Sequence, residues 1–460
     1  MSAPSVQPAR RVALDVIRAV SDADAYANLA LPVAIDRAGL SAADAALATE
    51  LTYGTLREIG FYDAVIALAA GRSTREIDAP ILDVLRLGAH QLLSMRTATH
   101  AAVDESVTLA RAVGSRSSTG FVNAVLRTIS RTPADEWRER VTSAAKTEDE
   151  RLALAHSHPA WVVRAFRSAL AAEGRERELE ELLRADNVAP RVSLVALPGL
   201  AVGTELDGAE PGEFSPCARV SGGGDPARWP AVREGRARVQ DEGSQLAALA
   251  LSRVRPIAGD EEWLDLCAGP GGKTALLAAE ARGTTEGLSA TVTANEIVPA
   301  RAALVRRALA AFTKPPVVLE GDGRSVGAEH THRFDRVLLD APCTGLGALR
   351  RRPEARWRKQ PRDVPELSKL QGELLDSAVA ASKPGGIIAY VTCSPHRAET
   401  TAIVADAVRR HGLAQLDTPA VLATVTTHPL NLPDTPHAQL WPHRHGTDAM
   451  FIALLETPRK

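Results

Sequence analysis

The chain has 460 residues, of which 45% are hydrophobic and 24% charged, and its formal net charge at pH 7 is −2. This length predicts two or three folded domains. A charge this close to zero excludes a protein that coats nucleic acid nonspecifically, because such binding depends on neutralising many phosphates. An aromatic content of 4% argues against a long groove that stacks unpaired bases.

The N-terminal segment MSAPSVQPARR lacks the apolar core of a secretion signal, and no apolar run is long enough to cross a bilayer. The four cysteines are too few for a disulfide scaffold and too far apart for paired zinc ligands. They are Cys217, Cys267, Cys343 and Cys393. We therefore expect a monomeric cytoplasmic protein that binds neither a membrane nor a metal.

Residues 1–132 contain three stripes of apolar side chains at the spacing of a helix that buries one face. The stripes are Val12, Val16 and Val20, then Ile81, Leu85, Ala89 and Leu92, then Phe121, Val125 and Ile129. Alternating strand patterns are largely missing here, so the region is predicted to be an all-α domain.

Residues 133–157 are charged and poor in aliphatic side chains, which predicts a solvated connector or an exposed helix. Residues 158–238 combine a helical pattern near residues 161–170 with the strand-like RVSLVAL and the turn-rich SGGGDP. This second segment is predicted to form a small α+β subdomain.

In residues 239–460, short apolar runs alternate with amphipathic helices. This alternation predicts an α/β, Rossmann-like domain whose parallel sheet has helices on both faces. Ligands of such sheets bind at the carboxyl ends of the strands. The motifs that could bind a ligand or take part in a reaction all fall at those ends.

The segment DLCAGPGGKT, from Asp265 to Thr274, follows a predicted strand and opens a helix. A phosphate-binding Walker loop would need glycine in place of Cys267, and a dinucleotide fingerprint would need its third glycine in place of Thr274. The pattern that remains is an acidic residue, three spacers and Gly-x-Gly, which is typical of the first motif of Rossmann-like methyltransferases. A tight turn without a ligand is the alternative.

Acidic residues also follow the next two predicted strands. Glu296 is placed to accept hydrogen bonds from ribose hydroxyls, and Asp322 is placed beside an adenine. Either side chain could instead cap a helix or lie in a loop. Together with the glycine loop, they favour an adenosyl ligand.

Cys343 and Cys393 stand in DAPC and TCS, at the ends of the fourth and fifth predicted strands, so both reach one edge of the sheet. Carbon 5 of cytosine attacks a methyl donor only after a thiolate adds at carbon 6, and a base must later remove the carbon 5 proton. A buried, unreactive thiol is the alternative, and it is the preferred interpretation for Cys217 and Cys267. Asp340, in the DAPC motif, could merely cap a turn.

An ordered set of motifs covers nearly the whole chain: VQDEGSQLAA, DLCAGPGGKT, GDGR, LLDAPCTGLG, RRRPEARW, KPGGIIAYVTCS and HGTDAMFIALLE. With these motifs the chain resembles the Nol/Nop/Sun family of RNA cytosine-5 methyltransferases, and within it the bacterial Sun/Fmu (RsmB-type) branch. The resemblance implies that 16S ribosomal RNA is the substrate. It also implies that S-adenosyl-L-methionine is the methyl donor and S-adenosyl-L-homocysteine the product.

The resemblance implies roles for individual residues. Cys393 would be the nucleophile, Cys343 would assist product release, and Asp340 would steady the target base beside Lys273. DNA cytosine methyltransferases attack with the Pro-Cys cysteine, so the additional motif around Cys393 points to RNA. The cofactor would be held by Asp265, Cys267, Ala268, Gly269, Pro270, Gly271, Gly272, Lys273, Glu296, Arg301, Asp322 and Asp340.

The N-terminal motifs YGTLREIGFYD and GFVNAVLR resemble the NusB-like domain fused to this branch, a type that binds RNA; a helical scaffold is the alternative. Arg57, Arg86 and Arg127 are candidates for phosphate contacts. The basic run after Cys343 is predicted to hang over the active-site opening and to contact RNA, and a solvated loop is the alternative. The predicted contacts are Arg350, Arg351, Arg352, Arg356 and Trp357.

The chain departs from the family pattern in three places, with DAMF in place of Asp-Gly-Phe-Phe, Ala398-Glu399-Thr400 in place of Glu-Glu-Asn, and a variant of the usual strand-end segment near Asn295. Three other functions stay open at this point. They are an RNA-binding factor without catalysis, a methyltransferase for another substrate, and a DNA cytosine enzyme. Intact Cys343, Cys393 and Asp340 argue against the first.

Overall fold

The computed structural model describes residues 6–23, 25–282 and 289–459, so the first five residues of the N-terminal segment lie outside the described range. The chain divides into two compact units. The first unit comprises Met1–Arg167, Arg177–Ala189 and Leu349–Arg358, and the second comprises Ser168–Glu176, Pro190–Ala348 and Lys359–Lys460. None of the helices in the described ranges combines the length and the apolar character needed to span a membrane.

The described residues up to 189 are helical, which confirms the all-α prediction for residues 1–132. The helices are α1 (Pro8–Asp22), α2 (Ala27–Ala38), α3 (Ala42–Arg57), α4 (Ile59–Ala70), α5 (Ala79–Leu93), α6 (Thr99–Val113), α7 (Arg116–Ser130), α8 (Ala134–Thr142), α9 (Glu148–Ala155), α10 (Ala160–Ala172) and α11 (Leu179–Ala185). The three predicted stripes lie on α1, α5 and α7, and they supply Val16, Leu85 and Val125 to a single core. Burying each such side chain contributes about 1.5–3 kcal/mol.

The charged segment 133–157 is helical, the second of its two predicted alternatives, but part of it is buried. It forms α8 and α9, and Trp137 and Val141 of α8 are 2% and 4% exposed in the core of the first unit. The Trp137 indole donates a hydrogen bond to the Ile129 carbonyl at 3.0 Å. Because these two apolar residues are four apart on a helix, they face the core together while the charged side chains face solvent.

The second unit contains a small sheet. Its elements are β1 (Ser193–Ala196), β2 (Ala209–Pro211), β3 (Ala218–Ser221), α12 (Pro230–Arg233) and β4 (Ala237–Val239). The strands lie in the order β2-β3-β1-β4 and all pair antiparallel. Leu194, Trp229 and Ala237 form its small core. Helix α10 and strand β1 fall where the sequence predicted them.

The rest of the chain forms a larger α/β arrangement around an eight-stranded sheet. Its elements are α13 (Glu242–Ser252), β5 (Glu261–Asp265), α14 (Gly272–Glu280), β6 (Ala290–Asn295), α15 (Pro299–Ala308), β7 (Val317–Leu319), α16 (Gly323–Glu329), β8 (Phe334–Asp340), α18 (Asp363–Ala381), β9 (Ser382–Thr392), α19 (Thr401–His411), β10 (Ala414–Gln415), α20 (Thr418–Val425), β11 (Ala438–Gln439), α21 (Pro442–His445) and β12 (Phe451–Glu456). The short helix α17 (Ala355–Arg358) belongs to the first unit.

The strands lie in the order β10-β12-β9-β8-β5-β6-β7, and β11 pairs with β12. The sheet contains both parallel and antiparallel pairs. The five predicted strands, β5 to β9, pair in parallel, whereas β12 runs antiparallel to β9 and pairs antiparallel with β10 and β11. Asp340, the last residue of β8, lies opposite Val391 near the end of β9. This register brings the residues that follow the two strands to one edge of the sheet.

Candidate active site

The glycine loop joins β5 to α14 in a tight turn. Gly271 precedes α14 with φ +99°, a conformation that favours glycine, and a Cβ there would lie 2.7 Å from the Ala308 Cβ. A Cβ on Gly269 would lie 2.2 Å from Glu296 Oε2. Both positions therefore require glycine for the loop to pack against β6 and α15.

Glu296 and Arg301 hold this loop. The Gly269 N–H donates to Glu296 Oε2 and the Val298 N–H donates to Oε1, each at 3.0 Å. The Arg301 guanidinium donates to the Gly269 carbonyl at 2.6 Å. Glu296 is 3% exposed, so its carboxylate is fixed at the carboxyl end of β6 as the sequence predicted.

Asp265 is a buried carboxyl group at the end of β5. Its Oδ2 accepts a 2.6 Å hydrogen bond from the Thr274 hydroxyl, and its Oδ1 has no hydrogen-bond partner among the described residues. Burial raises the pKa of Asp265 from 3.8 to about 7. A ligand group that donated a hydrogen bond to Oδ1 would satisfy this buried acceptor.

The pKa of Asp265 predicts how the stability of the cofactor-free protein depends on pH. A carboxyl pKa that is higher in the folded state contributes stability below the unfolded pKa, and this contribution is lost as the pH rises to about 7. We therefore expect the free energy of unfolding of Asp265→Asn, relative to that of the wild type, to rise by up to about 1.4 kcal/mol per pH unit between pH 5 and 7. Above pH 7 this difference should stay level. Denaturant titrations of both proteins at each pH measure the difference.

The exposed Asp260 beside the same strand offers the control for this prediction. Asp260→Asn removes an exposed carboxyl group and is measured in the same denaturant titrations. A constant difference for Asp265→Asn would contradict the raised pKa.

Two buried amides near the glycine loop also carry unsatisfied polar atoms. Gln240 is 7% exposed, and neither polar atom of its amide has a partner in the described part of the chain. A Cβ on Gly272 would lie 3.6 Å from the Gln240 Cδ, which places this amide beside the loop. Asn295 bridges the Leu266 and Gly321 carbonyls at 3.1 Å each. Gln240 was not predicted as a site residue, although it lies in the motif VQDEGSQLAA.

Asp322 occupies the helix-capping position that the sequence left as an alternative. It accepts a 3.0 Å hydrogen bond from the Arg324 N–H at the start of α16 and pairs with the Arg324 guanidinium at 2.6 Å. The hydrogen bond from the Arg324 side chain lowers the pKa of Asp322. A contact with adenine stays a prediction for this residue.

Lys273, Asp340 and Ser244 form a polar cluster beside the loop. The Lys273 ammonium donates to Asp340 Oδ2 at 2.8 Å and to the Ser244 hydroxyl at 3.2 Å. Burial is the largest single influence and would lower the pKa of Lys273, but the interactions with Asp340, Cys393 and Asp265 together outweigh it and the pKa is raised. Lys273 is therefore a cation at neutral pH. The sequence analysis singled out Lys273 and Asp340 but missed Ser244.

The two cysteines meet at the carboxyl ends of β8 and β9. Their sulfur atoms are 3.5 Å apart, and both side chains are partly exposed. The hydrogen bond to the Cys393 sulfur, followed by burial, raises the pKa of Cys343 well above its ordinary value. Lys273 interacts electrostatically with Cys393. The two cysteines therefore differ in their surroundings, because Cys343 contacts the Cys393 sulfur and Cys393 interacts with a buried cation.

The other two cysteines behave as buried thiols. Burial raises the pKa of Cys217 to about 11 and also raises the pKa of Cys267. Cys267 packs beside the apolar residues under the sheet. Across the described ranges, no three His, Cys, Asp or Glu side chains are grouped to hold a metal ion.

The placement of Arg356 corrects its predicted contact with RNA. Its side chain is completely buried in the first unit, and its guanidinium donates to the carbonyls of Arg57, Ser157 and Asp186 at 2.8–3.1 Å. It also donates to the Asn187 side chain at 2.7 Å. Arg356 therefore holds segments of the first unit together and is not available to a phosphate.

The remaining RNA candidates are placed differently. In the basic run, Arg350 is 6% exposed, Arg351 is half-buried, and Arg352 and Trp357 are exposed. Of the N-terminal candidates, Arg57 is 7% exposed, Arg86 pairs with Asp63 and Asp83, and Arg127 is bonded to the Asn123 side chain on an exposed surface. Arg352, Trp357 and Arg127 are thus the exposed members of the set.

Comparison with protein families gives two matches along the chain. Residues 254–456 match the family described as 16S rRNA methyltransferase RsmB/F, and residues 7–131 match the NusB family. Rv1407 of Mycobacterium tuberculosis is 50% identical over 456 residues, covering 98% of this chain and 96% of that protein. Ribosomal RNA small subunit methyltransferase B of Erwinia tasmaniensis is 30% identical over 429 residues, covering 90% of each.

Solved structures share the fold. The crystal structure of PH0851 has a TM-score of 0.80 at 24% identity and covers 99% of this chain and 100% of that one. NSun6 from Pyrococcus horikoshii, crystallised with SFG, has a TM-score of 0.50 at 15% identity and covers 65% of this chain and 98% of that one.

Proposed function

Because the chain belongs to the RsmB/F family of 16S rRNA methyltransferases and has an N-terminal NusB domain, we propose that it methylates carbon 5 of a cytosine in small-subunit ribosomal RNA. The proposal rests mainly on the pair of thiols, 3.5 Å apart, at the ends of two adjacent parallel strands. Methylation at carbon 5 requires one nucleophile and one base, which two thiols could supply.

S-adenosylmethionine is the methyl donor in this proposal, and NSun6 was crystallised with SFG, an analogue of it. When bound, it would supply an electrophilic methyl group. Asp265 Oδ1 and the Gln240 amide would satisfy its polar groups, because both are buried and unpartnered within the described ranges. Glu296, Arg301, Asp322 and Asp340, with the loop from Cys267 to Lys273, would hold the rest.

Cys393 begins the reaction in this proposal. Its thiolate forms a bond to carbon 6 of the cytosine, and the electrons of the double bond between carbons 5 and 6 move toward carbon 5, which becomes nucleophilic. Asp340, held by Lys273, would steady the ring as charge develops there. The Lys273 ammonium, which interacts electrostatically with Cys393, would lie close to the attacking sulfur.

Cys343 acts in the release step. After methylation, carbon 5 still carries its proton; a base removes it, the double bond forms again and Cys393 leaves as a thiolate. In the free protein the largest cause of the raised pKa of Cys343 is the Cys393 sulfur. The covalent adduct converts that sulfur into a neutral thioether, so Cys343 becomes more acidic at the stage where a base is needed.

A methylation map of ribosomal RNA tests the proposal. Unmodified 16S rRNA is incubated with the protein and S-adenosylmethionine, and 5-methylcytosine is located at base resolution, with a reaction lacking the cofactor as control. We expect one modified cytosine. Methylation of another base or atom, or of DNA in preference to RNA, would overturn the proposal.

Substitutions of two arginines in the basic run test RNA binding and stability separately. We expect Arg352→Ala to weaken RNA binding by about 3- to 10-fold at low salt, with less loss at high salt, because one phosphate contact disappears. We expect Arg356→Ala to lower the free energy of unfolding by about 3 kcal/mol or more, because buried carbonyls lose their donor. Filter binding at two salt concentrations and thermal unfolding measure these effects.

Arg164, an exposed residue of α10, supplies the control variant. Arg164→Ala should change neither quantity. Unchanged RNA affinity in Arg352→Ala at low salt would remove Arg352 from the proposed interface, and full stability of Arg356→Ala would contradict its structural role.

A further inference from the structure

Glu399 is a completely buried carboxylate in the turn between β9 and α19, six residues after Cys393. The two cysteines lie in separate loops: the Pro-Cys-Thr loop follows β8 and the Thr-Cys-Ser loop follows β9. Burying an acidic side chain is costly unless it receives hydrogen bonds that replace water. The partners of Glu399 therefore indicate what its position achieves.

The Glu399 carboxylate joins the two cysteine loops directly. Its Oε1 accepts from the Thr344 N–H at 2.8 Å, and its Oε2 accepts from the Thr344 hydroxyl at 2.5 Å. Oε2 also accepts from the Ser394 hydroxyl at 2.6 Å. Thr344 follows Cys343 and Ser394 follows Cys393, so one rigid group fixes the neighbours of both sulfurs.

Further contacts reinforce the same connection. Gln371 of α18 donates one amide N–H to Glu399 Oε1 at 3.3 Å and one to the Pro342 carbonyl at 2.9 Å. The Gly347 N–H donates to the Cys393 carbonyl at 2.8 Å. These bonds leave each loop little freedom to move independently of the other.

We propose that Glu399 is a positioning residue that sets the separation of the Cys343 and Cys393 sulfurs and thereby couples attack on the base to release of the product. This inference rests on the proposed function. The Thr344 bonds hold Cys343, which acts in release, and the Ser394 bond holds Cys393, which acts in attack. Loosening each bond should therefore impair a different step, whereas simple unfolding would impair both in proportion.

The test uses the full-length protein, 16S rRNA and S-adenosylmethionine in single-turnover reactions, with methylated RNA and covalent adduct quantified separately. We expect Glu399→Gln to slow methyl transfer by about 10- to 100-fold, because the uncharged amide accepts the buried bonds poorly, and to leave the affinity for the cofactor nearly unchanged. Glu366→Gln, at an exposed position of α18, is the matched control and should behave as wild type.

Two milder substitutions keep the inference testable if Glu399→Gln does not fold. Thr344→Val should raise the ratio of adduct to product, and Thr344→Ser, which keeps the hydroxyl, should restore it. Ser394→Ala should instead slow adduct formation. Equal proportional loss of adduct and product in both variants would overturn the inference. Absence of any adduct or methylated cytosine with the wild-type protein would overturn the proposed function, and the inference with it.

Discussion

The Cys393→Ala variant is expected to lose methyl transfer by at least about a thousand-fold, because removing the nucleophile from a covalent mechanism leaves only binding and electrostatic effects. The sulfur lies at the carboxyl end of β9, 3.5 Å from Cys343 and in electrostatic contact with Lys273. Burial raises the pKa of Cys217 and of Cys267, and the hydrogen bond to the Cys393 sulfur raises that of Cys343. Incorporation of labelled methyl groups into 16S rRNA measures the effect.

Two controls show whether the loss is chemical. Cofactor affinity should be unchanged in Cys393→Ala, because Asp265, Gln240 and the glycine loop remain in place. Cys217→Ala removes a thiol from the apolar core of the second unit and should keep the methylation rate of its folded fraction. Turnover by Cys393→Ala near the wild-type rate would refute the assignment of the nucleophile.

The Cys343→Ala variant is expected to accumulate a covalent complex between protein and RNA. Cys393 can still add to carbon 6 and the base can still be methylated, but removal of the carbon 5 proton is slowed. Because general base catalysis contributes typically about 10²- to 10⁴-fold, release should become the slowest step by a wide margin. A band of reduced mobility on a denaturing gel, dependent on both RNA and cofactor, reports the complex.

The double variant sharpens this second result. Replacing both Cys343 and Cys393 with alanine should abolish the retarded band, because the bond to RNA is made by Cys393. A band that persists in the double variant would assign the bond to a different residue. The lack of any band in Cys343→Ala would show that another group removes the proton.

The sequence was sufficient to predict the parallel strands and the side chains at their ends. Each of β5 to β9 is a short apolar run followed by polar or glycine residues, and parallel strands align their carboxyl ends at one edge. For this reason Asp265, Glu296, Asp340, Cys343 and Cys393 could be assigned to one side of the sheet. The antiparallel pairing of β12 was not predicted, because a short apolar strand carries no direction in its pattern.

Burial of charged side chains was the part that the sequence could not predict. Arg356 lies in a run of cations, and such runs are usually exposed, so its four buried hydrogen bonds depend on loops distant in sequence. Trp137 lies in a charged segment, and it is buried in the core because it lies on the inward face of helix α8. Glu399 lies in a segment, Ala398-Glu399-Thr400, that the sequence marked as a departure from the family pattern, but its role depends on the approach of Thr344 from another loop.

Trapping with RNA that carries 5-fluorocytidine tests the central claim most directly, because fluorine replaces the carbon 5 proton and prevents release of the enzyme. After reaction with S-adenosylmethionine and digestion, mass spectrometry identifies the peptide attached to the RNA. We predict a methylated, fluorinated nucleotide on the peptide that contains Cys393. Attachment to the peptide that contains Cys343, or a failure to trap any complex under conditions in which unmodified RNA is methylated, would contradict it.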